Sequence, residues 1–160
     1  MSSWVSHLPD NITFNKVIGH GLNEIELAAN KRLDEYWVQN FNKDQILPLE
    51  DSSVDYCTLV AGWQYLQYPE LISSELKRII KPNGQLIISF SNRAFWQKSP
   101  RIWVDGSSLD RANYITAILV SQGWNVPTRI VDENTQAKLF GFFNQQNDPF
   151  YAILATNTKN

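Results

Sequence analysis

The stretch from Tyr68 to Phe90 constrains this chain most, because it reads as helix, tight turn and buried strand in immediate succession. Pro69 suits a first helical position, where no intrahelical N–H is needed, and Glu70 follows in the first turn. Ile72, Leu76, Ile79 and Ile80 recur at helical spacing, so one face is apolar. Lys77, Arg78 and Lys81 crowd the expected last turn, where cations suit the helix dipole. Pro82-Asn83-Gly84 then predicts a stop and a turn. Leu86, Ile87 and Ile88 follow without polar interruption, and Phe90 closes the run. A strand apolar on both faces belongs inside a parallel sheet covered by helices. The strand before it should run parallel to it, as half of a βαβ unit.

The 160 residues predict one domain over 1–160, long enough for a sizeable core. A net charge of −2 without any basic run gives no reason to expect a nucleic-acid partner. Cys57 is the single cysteine, which excludes an internal disulfide and fits a reducing compartment. The first residues lack the basic and apolar regions of a signal peptide. No apolar run approaches the roughly 20 residues that span a bilayer. A cytoplasmic protein without membrane contact is expected. His7 and His20 have no partner at metal-ligand spacing, so no metal site is expected.

Upstream, Val17-Ile18-Gly19 predicts a short strand running into the turn Gly19-His20-Gly21. Asn23 then reads as an N-cap, with Glu26 completing a capping box. Tyr36-Trp37-Val38 is a brief strand closed by Gln39-Asn40-Phe41-Asn42, and Val54 to Ala61 is a further strand that stops at Gly62. Phe95, Trp96 and Trp103 fall in a loop or short helix broken by Pro100. Ser107 and Asp110 open a helix that runs to Gln122 and ends at Gly123. Val126 to Val131 and Phe150 to Ala155 are the last two strands, with a polar stretch between them.

Ligands of open α/β sheets bind beyond the carboxyl ends of the strands. Four such ends are identifiable: 19–23, 39–42, 61–65 and 91–93. Asn23 and Asn40 offer donors and acceptors, and Phe41 and Trp63 offer flat apolar faces. Each has an ordinary counterpart: a strand-to-helix connection for 19–23, a core aromatic for Phe41, a surface arginine for Arg93. Trp63, Trp96 and Trp103 either build an aromatic pocket or simply pack. His20 is a weak candidate for a general base. Cys57 lies mid-strand, where a buried and inert thiol is the ordinary reading.

Leu47-Pro48-Leu49-Glu50-Asp51-Ser52-Ser53-Val54-Asp55-Tyr56 and Glu75-Leu76-Lys77-Arg78-Ile79-Ile80-Lys81-Pro82-Asn83-Gly84-Gln85-Leu86 resemble the class I S-adenosylmethionine-dependent methyltransferases. Ser2 to Pro9 and Ser89 to Arg93 resemble a methyltransferase-like subgroup of them. The resemblance implies a Rossmann-like three-layer α/β sandwich, mostly parallel, with strand order 3-2-1-4-5-7-6 and strand 7 antiparallel. It implies S-adenosylmethionine as cofactor and an unidentified small molecule as methyl acceptor. Carried over by position, Ser3, Gly19, Gly21, Leu22, Asn23, Asn40, Phe41, Ala61 and Gly62 would meet the cofactor. Trp63, Tyr65, Asn92, Arg93 and Trp96 would meet the substrate. No catalytic acid or base is assigned.

The departures are specific. No glycine-rich E/D-x-G-x-G-x-G run occurs. Asn23 and Asn40 stand where the family carries carboxylates, and an amide accepts more weakly. Ser2 to His7 would fall in the loop after strand 1, so strand 1 itself lacks a counterpart. Its absence would leave two central edges with unpaired N–H and C=O groups. Met1 could be internal to a longer protein, strands 2 and 4 could pair directly, or another chain could fill the gap. An exposed edge would favour a homo-oligomer. The alternative function is a degenerate, non-catalytic domain that serves binding or assembly.

Overall fold

The computed structural model describes residues 7–92, 94–132 and 150–158. The elements in order are β1 (Ile18–Gly21), α1 (Glu24–Ala29), β2 (Glu35–Val38), β3 (Val54–Val60), α2 (Pro69–Ile79), β4 (Ile80–Phe90), α3 (Arg101–Asp105), α4 (Ser108–Ser121), β5 (Thr128–Asp132) and β6 (Phe150–Thr156). Short 3-10 turns occupy Trp63–Tyr65 and Trp96–Lys98.

The strands form two sheets. β1 and β2 pair in parallel, and the larger sheet runs β3-β4-β6-β5. β3 and β4 are parallel, as the βαβ reading requires, whereas β6 is antiparallel to both β4 and β5. This is a mixed α/β sheet with the antiparallel late strand expected from the sequence.

α2 follows its sequence signals closely. Pro69 opens it, Lys77 and Arg78 sit in its last turn, and Ile72, Leu76 and Ile79 are buried against the sheet. The helix nevertheless ends at Ile79, and Ile80 already belongs to β4. Pro82-Asn83-Gly84 therefore lies within the strand region, not between helix and strand. The pairing jumps from Val54–Ile80 to Tyr56–Gln85, so residues 81–84 bulge out of the ladder. Asn83 takes a left-handed φ of 65° within the bulge. Gly84 is required there, because a Cβ would come within 2.6 Å of the Asp55 carbonyl oxygen.

Asn157, after β6, locks this junction. Its side-chain Nδ2 donates to the Ile80 carbonyl at 2.6 Å and to the Lys77 carbonyl at 3.0 Å. Its backbone N–H donates to Gly84 O, and its carbonyl accepts from Asn83 N. Orphan carbonyls at the end of α2 are thereby satisfied by a residue far along the chain.

One core joins these elements, and it includes Leu86, Ile88 and Phe90 of β4 and Ile115, Ile118 and Leu119 of α4. Ser107 caps α4, and its partner Asp110 completes the expected capping box. The connection before β3 is clasped to α2. Arg78 donates to the carbonyls of Leu47 and Leu49 and to the carboxylates of Glu75 and Asp51, while Glu75 accepts from Leu47 N at 2.9 Å.

Among the described residues the two sheets share no ladder, so β1 and β3 are not directly paired. Residues of both instead line a cavity of about 350 Å³, which also reaches Trp37, Leu47, Leu49 and Ile79. Direct pairing of these two strands, one of the arrangements open from sequence, is thus not what the chain adopts.

Candidate functional site

The ends of β1, β2 and β3 converge. The Gly21 carbonyl accepts from Gln39 N at 3.2 Å. His20 Nε2 lies 2.8 Å from the Gln39 carbonyl. A carbonyl only accepts, so that nitrogen carries the proton. The imidazole stacks on Phe41, with centroids 3.9 Å apart and planes within 7°. Asn42 continues the link to the β3 end. Its Nδ2 donates to the Tyr65 carbonyl at 2.9 Å, and its Oδ1 accepts from Gln67 N at 2.8 Å. Segments 19–23, 39–42 and 61–65 are therefore tied to one another by hydrogen bonds.

The predicted site residues fare differently within it. Gly19-His20-Gly21 is strand rather than turn. The glycines accommodate packing: a Cβ on Gly21 would sit 3.2 Å from a Leu27 methyl, and one on Gly19 would strike Leu33. Leu22 is 70% exposed. Asn23 caps α1 by accepting from Ile25 N at 3.0 Å, one residue short of the Glu26 position that a capping box uses. Asn40 Oδ1 accepts from Asn42 N at 3.0 Å in a local turn.

Phe41 is buried, with His20 against one face of its ring, so it is a core aromatic with limited surface to share. Ala61 adopts a left-handed φ of 49°, whereas Gly62 sits at −117°, a value any residue reaches. The backbone freedom that sequence assigns to the glycine is used one residue earlier. Nothing in the sequence marks Ala61 for that conformation.

Trp63 is only 1% exposed and belongs to the core, which corrects the expectation of a stacking face there. Trp103 is equally buried, edge-on to Phe90 at 5.1 Å, so no aromatic pocket joins it to Trp63. Tyr65 stays at the surface of the wall, its hydroxyl accepting from Phe95 N at 3.1 Å. Asn92 is exposed just past β4. Ser3, Arg93 and the Trp96 side chain lie outside the described residues.

Burial lowers the pKa of His20 to about 4, partly opposed by its bond to Gln39. The ring is therefore neutral near pH 7 and 5% exposed, which suits a pillar between strand ends better than a general base. Burial raises the Cys57 thiol, in keeping with an inert side chain. Among the described residues, no group of three His, Cys, Asp or Glu side chains could hold a metal ion, and no helix is long and apolar enough to cross a membrane.

Sequence reasoning missed Asn42 as the bridge between loops, although it stands in the amide-rich run that marked the site. It also missed Gln64, which is 1% exposed with its Oε1 unpaired among the described residues.

Parallel α/β strand pairs whose carboxyl-end loops are hydrogen-bonded together, followed by an antiparallel late strand, define a Rossmann-like methyltransferase fold. Residues 5–88 match the family model described as "Methyltransferase domain", and the chain belongs to that family. Solved structures agree on the fold. A methyltransferase from Haloferax volcanii, in complex with a methyltransferase activator, matches with a TM-score of 0.64 and 18% identity, covering 94% of this chain and 75% of that one. A methyltransferase from Listeria monocytogenes matches at 0.62 with 15% identity, over 88% and 79%. One from Thermotoga maritima, described as a possible histamine N-methyltransferase, matches at 0.60 with 19% identity, over 88% and 72%. A comparison with curated proteins finds no match.

Proposed function

We propose that the crevice at the ends of β1, β2 and β3 binds S-adenosylmethionine and that the chain transfers its methyl group to a small-molecule acceptor. The observation that carries this reading is the hydrogen-bonded convergence of 19–23, 39–42 and 61–65 in a chain of the methyltransferase family. The donor set fits a nucleoside through neutral amides and an exposed Leu22 rather than through carboxylates. Asn23 and Asn40 spend their Oδ1 atoms on local N–H groups, so their N–H₂ groups are the donors left for a ligand. Phe41 offers an edge to a base, and the Ala61-Gly62 backbone bounds the transfer site.

When bound, the cofactor supplies a methyl group already activated on a sulfonium sulfur. The chain then needs to hold the acceptor in line and exclude water, which is work for Tyr65 and Asn92, with Arg93 and Trp96 as the further substrate candidates that the family resemblance implies. Alignment alone can lower such a barrier substantially, so no acid or base is required. A cytoplasmic setting suits a chain with one free cysteine. The second reading, a non-catalytic domain for binding or assembly, is favoured by the two engaged amide oxygens and by the open cavity between β1 and β3.

Calorimetry with S-adenosylhomocysteine separates the two. Micromolar binding is expected on the first reading, and no heat up to millimolar ligand favours the second. Asn40→Asp should weaken binding, because it keeps the local turn but replaces the N–H₂ donor with an acceptor. Asn40→Ala should weaken it by about tenfold. Unchanged affinity in both would remove Asn40 from the site.

A further inference from the structure

We propose that Arg111 selects the methyl acceptor, its guanidinium receiving a carboxylate carried by an otherwise apolar small molecule. The inference rests on the methyl-transfer reading above. Arg111 is 8% exposed, and it is the one charged side chain among the buried described residues, since the buried His20 ring is neutral near pH 7. Arginine is rarely so buried without a paired anion, because an uncompensated interior charge is expensive. Its Nε donates to the Trp103 carbonyl at 3.0 Å. Among the described residues its two N–H₂ groups take no hydrogen-bond partner and no carboxylate pairs with it. The neighbouring Asp110 is committed to the α4 cap, its Oδ2 accepting from Ser107 N at 2.8 Å and from Ser107 Oγ at 2.6 Å.

Two routes place Arg111 near the 61–65 segment, which bounds the proposed transfer site. The first runs through α3. The Trp103 ring meets Phe90 edge-on at 5.1 Å, and Phe90 is the last residue of β4. Ala61 N donates to Ser89 O at 2.9 Å, so that end of β4 abuts 61–65. The second route runs along α4. Lys77 bonds to the Gly123 carbonyl, and Trp124 Nε1 donates to Ser73 Oγ at 3.1 Å, so the end of α4 lies along α2. Burial and the nearby Glu70 carboxylate raise the Tyr114 phenol, which puts the middle of α4 beside the first turn of α2. The two helices thus run in the same direction. Arg111, nearly one turn before Tyr114, stands toward the Trp63–Tyr65 turn that precedes α2. That turn holds Gln64, whose Oε1 is buried without a partner. Buried polar groups are nearly always satisfied, so two open ones at the same end of the fold call for a ligand.

The chemistry of that ligand follows. The free edge of the guanidinium carries parallel N–H bonds that match the two oxygens of a carboxylate. Phe90, Trp103 and Ile115, one helical turn on, are buried and apolar, which suits an aliphatic or aromatic body.

The test titrates the full chain, alone and with saturating S-adenosylhomocysteine, with benzoate against benzamide and hexanoate against hexanamide. At least one carboxylate should bind about tenfold or more tightly than its amide, a gap that charge-assisted hydrogen bonds supply. Arg111→Gln should remove that preference and change affinity for S-adenosylhomocysteine by less than about twofold. Arg111→Lys keeps the charge but loses the fork, so it should retain a preference of only about threefold, and it decides the matter if the glutamine variant does not fold. No preference in either pair, or one that survives in the Arg111 variants at full size, would overturn the proposal. So would an equal loss of S-adenosylhomocysteine affinity in Arg111→Gln, since the guanidinium would then serve the cofactor's own carboxylate. An Arg111-dependent preference in a chain that binds no S-adenosylhomocysteine would uphold the carboxylate site and remove the methyl-transfer reading alone.

Discussion

His20 shows how one buried side chain couples the crevice to pH. Its folded pKa of about 4 lies below the ordinary 6.5, so between those values the unfolded chain binds more protons than the folded one. Stability should therefore fall as pH drops from about 6.5 to about 4, by on the order of 3 kcal/mol, and this contribution should be flat above and below. Denaturant titrations at several pH values check this, and His20→Asn should remove that part of the slope. Ala61 makes the complementary point through the backbone. Its φ of 49° costs an L-residue about 1–2 kcal/mol, which glycine does not incur. Ala61→Gly should thus stabilise the fold by about 0.5–1 kcal/mol after the extra chain entropy of glycine is subtracted. A lower melting temperature would show that the methyl contributes packing that outweighs the strain.

Among the elements, α2 joins local sequence signals to distant contacts. Its apolar spacing, Pro69 start and basic last turn were legible because helix periodicity and dipole preferences act within a few residues. The same holds for the Ser107–Asp110 capping box. What sequence did not disclose is non-local: Asn157 closing the end of α2, and the Glu75–Arg78 clasp holding residues 47–51. The Gly19-Gly21 pair was misread for a related reason, since glycine marks close packing as often as a turn, and only the fold shows Leu27 and Leu33 beside it. Leu76 is fully buried, so Leu76→Ala should cost about 2–5 kcal/mol in equilibrium unfolding. The Arg78 guanidinium holds the Glu75 carboxyl below its ordinary 4.5. The stability this gives is present above 4.5 and is lost as pH falls through the lower folded value. Glu75→Gln should flatten that acid limb in the same titrations, and an unchanged limb would place the titration elsewhere.

At the scale of the molecule, the family and fold were readable because the motifs around β3, α2 and β4 are contiguous in the chain. The candidate crevice was readable only as a set of strand ends. Its joining by Asn42 and His20 depends on three loops meeting, and the buried state of Trp63 and Trp103 depends on how much core surrounds them.

The break between β1 and β3 also has a mechanical meaning. A continuous sheet resists shear through its backbone ladder, but among the described residues the load across this break passes through side chains such as Trp37, Phe41 and Leu47 and through the linker held by Arg78. The smaller half is then the softer spring, and gentle heating should loosen residues 18–38 while 80–90 remain stiff.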